Sequence, residues 1–365
     1  MRERYVVPLG IVGGLLSIAA GIGPWPDAIP VVADVAALPV GLGALLIVLG
    51  LVRFVGGPRS LALLVGLTGL LAVATGIYGY WAHLAEASAA LWAALVLVLG
   101  GALGTVAALG DWLGIAPGAA KRKSVGAAIG ALLGFGGLFM IFVWANLLAI
   151  LAYALVVGEP SEIQLIVVSQ VSLGLGTATV AAVYIGLTDR GWDYIDVRLP
   201  SLRGIGWVVA GVIGLLAILI AAGQVLTLVD VPQPEHGIVE VAEGNPDVLL
   251  VLIPASLLII GPGEELLFRN IVQKSLYDHF STPGAIVVAS IIFGLAHFLA
   301  YGATASTGGV LLVITLLSLL LGAIYARTGN VVIPAIIHGL YNAVLFASLY
   351  VELTTGSGGL VVGLP

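Results

Sequence analysis

The sequence predicts an all-α, polytopic helical membrane protein with about 11 transmembrane helices and a cytoplasmic N-terminus. Three observations carry that prediction. Of 365 residues, 60% are hydrophobic and only 9% charged, with a mean hydropathy of +1.18, where a soluble domain carries about 25% charged residues. Apolar runs of roughly 18 residues or more recur along the chain, long enough to cross the hydrocarbon core as helices. They lack the period-two alternation of an outer-membrane barrel. The basic residues, finally, fall on one side of the resulting topology.

The runs lie at roughly 5–23, 35–52, 61–82, 88–109, 125–157, 163–187, 204–229, 248–269, 284–300, 309–326 and 331–350. The first follows Arg2 and Arg4 as a signal peptide would, but so many spans come after it that an uncleaved helix is expected. The fifth is long enough for one tilted helix or for two broken at Gly134-Phe135-Gly136-Gly137. Charge decides for one. With a single fifth helix and the N-terminus inside, all 13 basic residues fall on inner segments, Arg53, Lys121, Arg198, Arg269 and Arg327 among them. Asp27, Glu86, Glu159, Glu240 and Glu352 fall outside. Splitting the helix inverts everything beyond it.

Other function classes fall away on composition. No cysteine is present, so disulfides and thiolate metal sites are impossible. The net charge of −6 argues against a nucleic-acid partner. The 51 glycines suit close helix packing, as in Gly100-xxx-Gly104 and Gly126-xxx-Gly130-xxx-Gly134. The basic loop 110–124 divides an N-terminal four-helix region, 1–120, with almost no intramembrane polarity, from a second region, 121–365. The acidic stretch 230–247 reads as a loop covering the outer mouth, and no internal repeat is visible.

Three patterns in the last hundred residues carry the chemistry. They are Glu264-Glu265-Leu266-Leu267-Phe268-Arg269, Phe293-Gly294-Leu295-Ala296-His297 and His338-Gly339-Leu340-Tyr341-Asn342. A charged side chain inside a span costs roughly 2.5 kcal/mol or more, so such groups are functional candidates. Glu264 and Glu265 point about 100° apart on a helix. Glu265 and Arg269, at i and i+4, can pair, which leaves Glu264 free as a general base or acid. A structural ion-pair cluster is the alternative. Pro262 disturbs the turn before the pair. His297 shares a helix face with Phe293, and His338 shares one with Asn342. Counted from the turn near Ser281–Gly284, Glu264 and His297 lie at roughly 28 and 21 Å along their helices, inside the bilayer. Asp193, Asp196, His83, His236 and His279 read as solvated, and Gln164, Gln170 and Gln224 as interhelical hydrogen-bonding groups.

The set EExxxR, FxxxH and HxxxN, in this order on successive spans, resembles the CPBP family of CAAX prenyl proteases and bacteriocin-processing enzymes, also called Abi. The resemblance covers about 260–345 and leaves the first four spans outside. It implies an intramembrane glutamate protease in a prokaryotic cell membrane, with its active site within the bilayer. Glu264 and His297 would activate a water, and His338 and Asn342 would form the oxyanion site. Glu265 and Arg269 would support the architecture, with Phe293 beside them. Neither cofactor nor metal is implied; the partners would be a membrane-associated protein or peptide substrate and the lipid bilayer.

The chemistry of the residues agrees. A carboxylate and an imidazole can share a water and take its proton, and an imidazole N–H and an amide can donate to the oxyanion. The rivals are a zinc metalloprotease using the same histidines and glutamate, without any HExxH pattern, a transporter with a proton relay, lacking paired halves, and a non-catalytic scaffold.

Overall fold

The computed structural model describes residues 6–20, 37–54, 58, 60–85, 97, 100–101, 104–105, 108, 110–112, 117–156, 158–228, 237–301 and 307–356. Every regular element among them is helical, as a chain needs when its backbone groups must be satisfied within each apolar segment. The chain divides into two compact units, Met1–Arg122 and Lys123–Pro365.

The first unit contains α1 (Val6–Ala20), α2 (Ala37–Phe54) and α3 (Ser60–Ala85). The fourth expected span, 88–109, lies largely outside the described residues. Small residues set the packing. A methyl on Gly14 would meet the Gly43 carbonyl, and one on Gly13 the Gly100 carbonyl. Arg53 grips Asp111 through both nitrogens, Nε to Oδ2 at 2.5 Å and Nη2 to Oδ1 at 3.0 Å.

The second unit comprises α4 (Pro117–Leu155, which begins just before the boundary), α5 (Glu162–Leu187), α6 (Leu202–Leu228), α7 (Gly237–Gly244), α8 (Val248–Leu276), α9 (Thr282–Ala296), α10 (Phe298–Tyr301), α11 (Thr307–Thr328) and α12 (Val332–Thr355). Among the described residues, each of the apolar runs expected beyond residue 120 is mainly helical. Six helices among the described residues are long and apolar enough to cross a membrane; α9, with 15 residues, is shorter. The fifth run is one unbroken helix of 39 residues, about 58 Å long, and its glycine-rich middle does not interrupt it. Ser161 and Gln164 close a capping box at the start of α5, so Gln164 terminates a helix rather than bridging two.

α8 departs from expectation. It continues to Leu276, past the expected end at 269, and its backbone alternates. A π-helical stretch, Ser256–Ile260, precedes the α-turn Gly261–Glu265, and a second π stretch, Leu266–Gln273, follows. Pro262 offers no N–H to the carbonyl four residues back and crowds it. Wider π turns absorb that defect, and they recur at functional sites. Arg269, counted by charge as an inner-face residue, is instead fully buried. Hydropathy ended the run there because Arg269, Asn270, Gln273 and Lys274 follow one another; each has buried partners that let the helix continue.

Two of this unit's apolar cores frame the helices that carry the motifs. Leu267, Phe268 and Val272 of α8 pack with Ala289, Ile292 and Phe293 of α9 and Val310 and Ile314 of α11. Leu215 and Leu219 of α6 pack with Leu317 and Leu321 of α11 and Ile337 and Tyr341 of α12. Gly126, Gly130 and Gly134 of α4 form one ridge against His279, Leu276, Ile292 and Phe268, so the His279 ring is packed rather than solvated. Gly261 and Gly339 bring α8 and α12 to backbone contact. A methyl on Gly261 would strike the Ala335 carbonyl, and one on Gly339 the Ser256 carbonyl.

The connection between α5 and α6 is clasped from two sides. Asn270 accepts the Asp196 N–H (2.8 Å) and donates to the Tyr194 carbonyl (3.1 Å). Lys274 Nζ donates to Asp196 Oδ2 (2.8 Å), which also accepts from the Tyr325 hydroxyl (2.6 Å). Asp196 is therefore an anchor and not the solvated carboxylate expected; Asp193 is exposed.

These contacts predict opposite outcomes for two glycine substitutions. Gly339→Leu should lower stability by about 1–3 kcal/mol or more by forcing α8 and α12 apart. Gly136→Ala places its methyl where no atom lies within 4 Å and should be neutral or stabilising by up to about 1 kcal/mol. Thermal unfolding of the purified full chain in detergent measures both.

Candidate active site

The three motifs meet. The α-turn between the π stretches of α8 sends Glu264 and Glu265 in different directions, as their spacing requires. Glu265 is fully buried. Its Oε2 accepts from Arg269 Nε at 2.8 Å, and its Oε1 lies 3.1 Å from His338 Nδ1. Arg269 reaches on to Ser318 Oγ of α11 (3.0 Å) and lies with its guanidinium 5.1 Å from the Phe293 ring centroid. One buried carboxylate thus ties α8 to α12, and through Arg269 to α11 and α9.

Glu264 faces the other way, into a cavity. Its Oε2 is buried without a hydrogen-bond partner and lies 3.9 Å from both His297 Nε2 and His338 Nε2. That is too long for a direct hydrogen bond and short enough for one small molecule to touch carboxylate and imidazole together. A buried acceptor left open in this way calls for a partner.

The backbone sets the tautomer of His297. α9 ends at Ala296, with His297 as its C-cap, and the His297 N–H goes to Gly294 O (3.1 Å). The Phe293 carbonyl is instead 2.9 Å from His297 Nδ1. A carbonyl only accepts, so Nδ1 carries a proton, and in the neutral ring Nε2 presents its lone pair towards Glu264. The same reasoning applied to His338 gives a more demanding result. Its Nδ1–H donates to Glu265, so Nε2 can donate only when the ring holds a second proton.

Phe293 is the common neighbour. Its ring lies edge-on to Phe268 (4.9 Å between centroids) and against His297 (4.5 Å) and His338 (6.0 Å). Asn342, one turn beyond His338, lines the same cavity. All seven residues singled out in the sequence are therefore gathered in one place, although Glu265 and Arg269 face away from the cavity itself.

The cavity has a volume of about 540 Å³ and is mostly apolar. Glu264, His297, His338 and Asn342 line it, with Ile260, Leu317, Leu321 and Leu345 among the apolar walls. Gln170 also reaches it. Gln170 Nε2 bonds to Ser169 Oγ (2.9 Å), while its Oε1 is buried and unpaired, so it faces a cavity rather than bridging helices. From Gly237 to Gly244 the acidic segment is helical, not a loop. Gly237, Ile238 and Val241 of α7 line the cavity, while Glu240 and Glu243 are exposed. Residues 229–236, with Asp230, Glu235 and His236, lie outside the described residues. No group of three or more His, Cys, Asp or Glu side chains has metal-holding geometry among the described residues.

Sequence reasoning missed Ser318, Tyr341 and Gln170 as members of this site. Tyr341 was inside a quoted motif, and its buried hydroxyl is unpaired. Ser318 lies in an apolar run where one serine carries no signal.

Arg269→Met should destabilise the protein by about 3–5 kcal/mol, because it strips a buried carboxylate of its strongest partner. Adding Glu265→Gln should restore part of the loss. Detergent unfolding of the two variants checks both the sign and the recovery.

No curated protein and no solved structure matches the chain. Residues 246–344, from the turn before α8 to the middle of α12, match the family described as Rce1-like, type II CAAX prenyl endopeptidase. That stretch contains Glu264, His297, His338 and Asn342 together, and the match supports the resemblance of the three motifs to the CPBP family of membrane peptidases.

Proposed function

We propose that the protein is an intramembrane endopeptidase that hydrolyses a peptide bond of a membrane-associated protein or peptide with a water activated by Glu264 and His297. The observation that carries this reading is the unpaired Glu264 Oε2, 3.9 Å from His297 Nε2. A water seated between them loses its proton to the pair as it attacks the carbonyl carbon. The charge that develops on the carbonyl oxygen is met by the Asn342 amide and by His338 Nε2–H. His338 donates there as an imidazolium, its charge balanced by Glu265. The amide nitrogen then leaves with a proton returned from Glu264 or His297. No covalent enzyme intermediate is needed.

Removing the base should cost about 10²–10⁴ in rate, and removing one oxyanion donor about 10²–10³. Membrane fractions of cells carrying wild type, Glu264→Gln or His297→Ala are compared for protein termini that depend on wild type, and each cleavage is repeated with purified protein. Asn342→Ala should leave weak but measurable cleavage. Wild-type cleavage by Glu264→Gln would sink the mechanism. Inactivation by a strong chelator with rescue by Zn²⁺ would move the same residues to the metalloprotease reading.

The same reading places the active site within the bilayer of a prokaryotic cell membrane, in a chain of about 11 spans with its N-terminus inside. Residues 1–120 then form a separate membrane region, and 121–365 the peptidase unit. The support for the orientation is the one-sided distribution of the basic residues other than the buried Arg269. A chain without cysteine allows a clean test. Arg122→Cys should resist an impermeant maleimide in intact cells, whereas Glu159→Cys should react; reversal of the pattern overturns the orientation.

A further inference from the structure

A second hollow, of about 610 Å³, opens where α6 begins and α11 ends. Arg198, Arg203 and Arg327 line it with Ser201, Trp207 and Thr328, and none of its lining residues is acidic. Arg203 and Arg327 are exposed and form no ion pair or hydrogen bond with the described residues. Arg198 uses one nitrogen, Nη2, to donate to Gly329 O at 2.7 Å. Three guanidinium groups around one hollow repel one another unless an anion lies between them.

The rim is built rather than loose. Buried Asn330 accepts the Arg198 N–H (3.2 Å), donates to the Arg198 carbonyl (2.8 Å) and accepts the Val332 N–H (3.2 Å). That side chain locks the segment bearing Arg198 to the turn between α11 and α12. Val331 N–H adds a bond to Asp196 O at 2.9 Å. The N-terminus of α6, a helix of 27 residues, contributes the positive end of its dipole from a second direction.

The surroundings choose between a free anion and a lipid. Leu199 and Leu202, beside the arginines, are 96% and 87% exposed. Two leucines laid bare at the end of an apolar helix suit acyl chains and give nothing to a dissolved ion. The hollow also exceeds what a phosphate alone would fill. Guanidinium groups match phosphate oxygens with paired N–H donors, and basic pockets between helices at a membrane face bind anionic headgroups. We propose that this hollow binds the phosphate of an anionic phospholipid, with Arg203 and Arg327 as its principal donors and Arg198 fixed beside them.

The test uses the full chain, purified in a non-ionic detergent, with phosphatidylglycerol, phosphatidylcholine and inorganic phosphate as probes. Phosphatidylglycerol should raise the melting temperature of wild type in a saturable way. Arg203→Gln with Arg327→Gln should require at least tenfold more of it for half the effect. Replacing both by lysine, which keeps charge but not the fork, should give an intermediate result. Leu199→Ser with Leu202→Ser should weaken the phosphatidylglycerol response while all three arginines remain, so the proposal stays testable if the arginine variant folds poorly. An equal response to phosphatidylcholine overturns the proposal. So does an unchanged phosphatidylglycerol response in the glutamine variant. A full response to inorganic phosphate at the same concentration assigns the site to a free anion and overturns the lipid.

Discussion

A single buried carboxylate organises the second unit. Glu265 holds Arg269 on its own helix and His338 on α12, and Arg269 extends the link to Ser318 on α11 and the face of Phe293 on α9. Burying a carboxylate and a guanidinium costs several kcal/mol per ion, repaid only when geometry and hydrogen bonding are nearly complete. Such an arrangement does little for net stability and much for uniqueness, since a displaced α8 or α12 would leave a charge unpaired. The consequence for chemistry is direct. His338 is held by its Nδ1, so its other nitrogen is turned into the cavity, 3.9 Å from Glu264 Oε2, and the cavity inherits its geometry from a contact that lies outside it.

The glycines make that contact reachable. An Arg–Glu–His cluster spanning two helices requires their backbones to approach closely, and Gly261 and Gly339 stand at the crossing. Polar precision and small-residue packing are here one device: the first has no value unless the second brings the groups within hydrogen-bond range. On the other side of Glu264, mostly apolar walls and the short helix α7 keep the cavity from being a simple water-filled cleft. Fewer competing hydrogen bonds strengthen whatever electrostatic interactions form inside it.

Much of this was legible in the sequence, for a physical reason. Ionisable residues in apolar runs stand out sharply, so Glu264, Glu265, Arg269, His297, His338 and Asn342 declared themselves, and helical spacing gave the correct partner for Glu265. Residues whose importance depends on contact were silent. Ser318 has no contrast with its apolar neighbours, and Asn270 and Asn330 look like ordinary span-end polarity although each clasps the α5–α6 connection. Asp196 read as solvated because its partners, Lys274 and Tyr325, are roughly 80 and 130 residues away in the chain. The early end assigned to α8 has the same origin, since hydropathy prices polar residues as if unpaired. The π turns were invisible because Pro262 signals a disturbance without specifying its form.

Those π turns give α8 an unusual phase. Each π stretch winds more slowly about the axis than a regular helix does. The Glu264–Glu265 turn is therefore offset in phase from the helix preceding Ser256 and again from the helix following Gln273. The apolar faces at both ends of α8 can stay locked in their cores, Leu249 and Leu252 against α7 and α12, and Leu276 against α4 and α9. The carboxylates between them are aimed separately. A regular helix of the same composition would have to choose between packing its ends and pointing its glutamates.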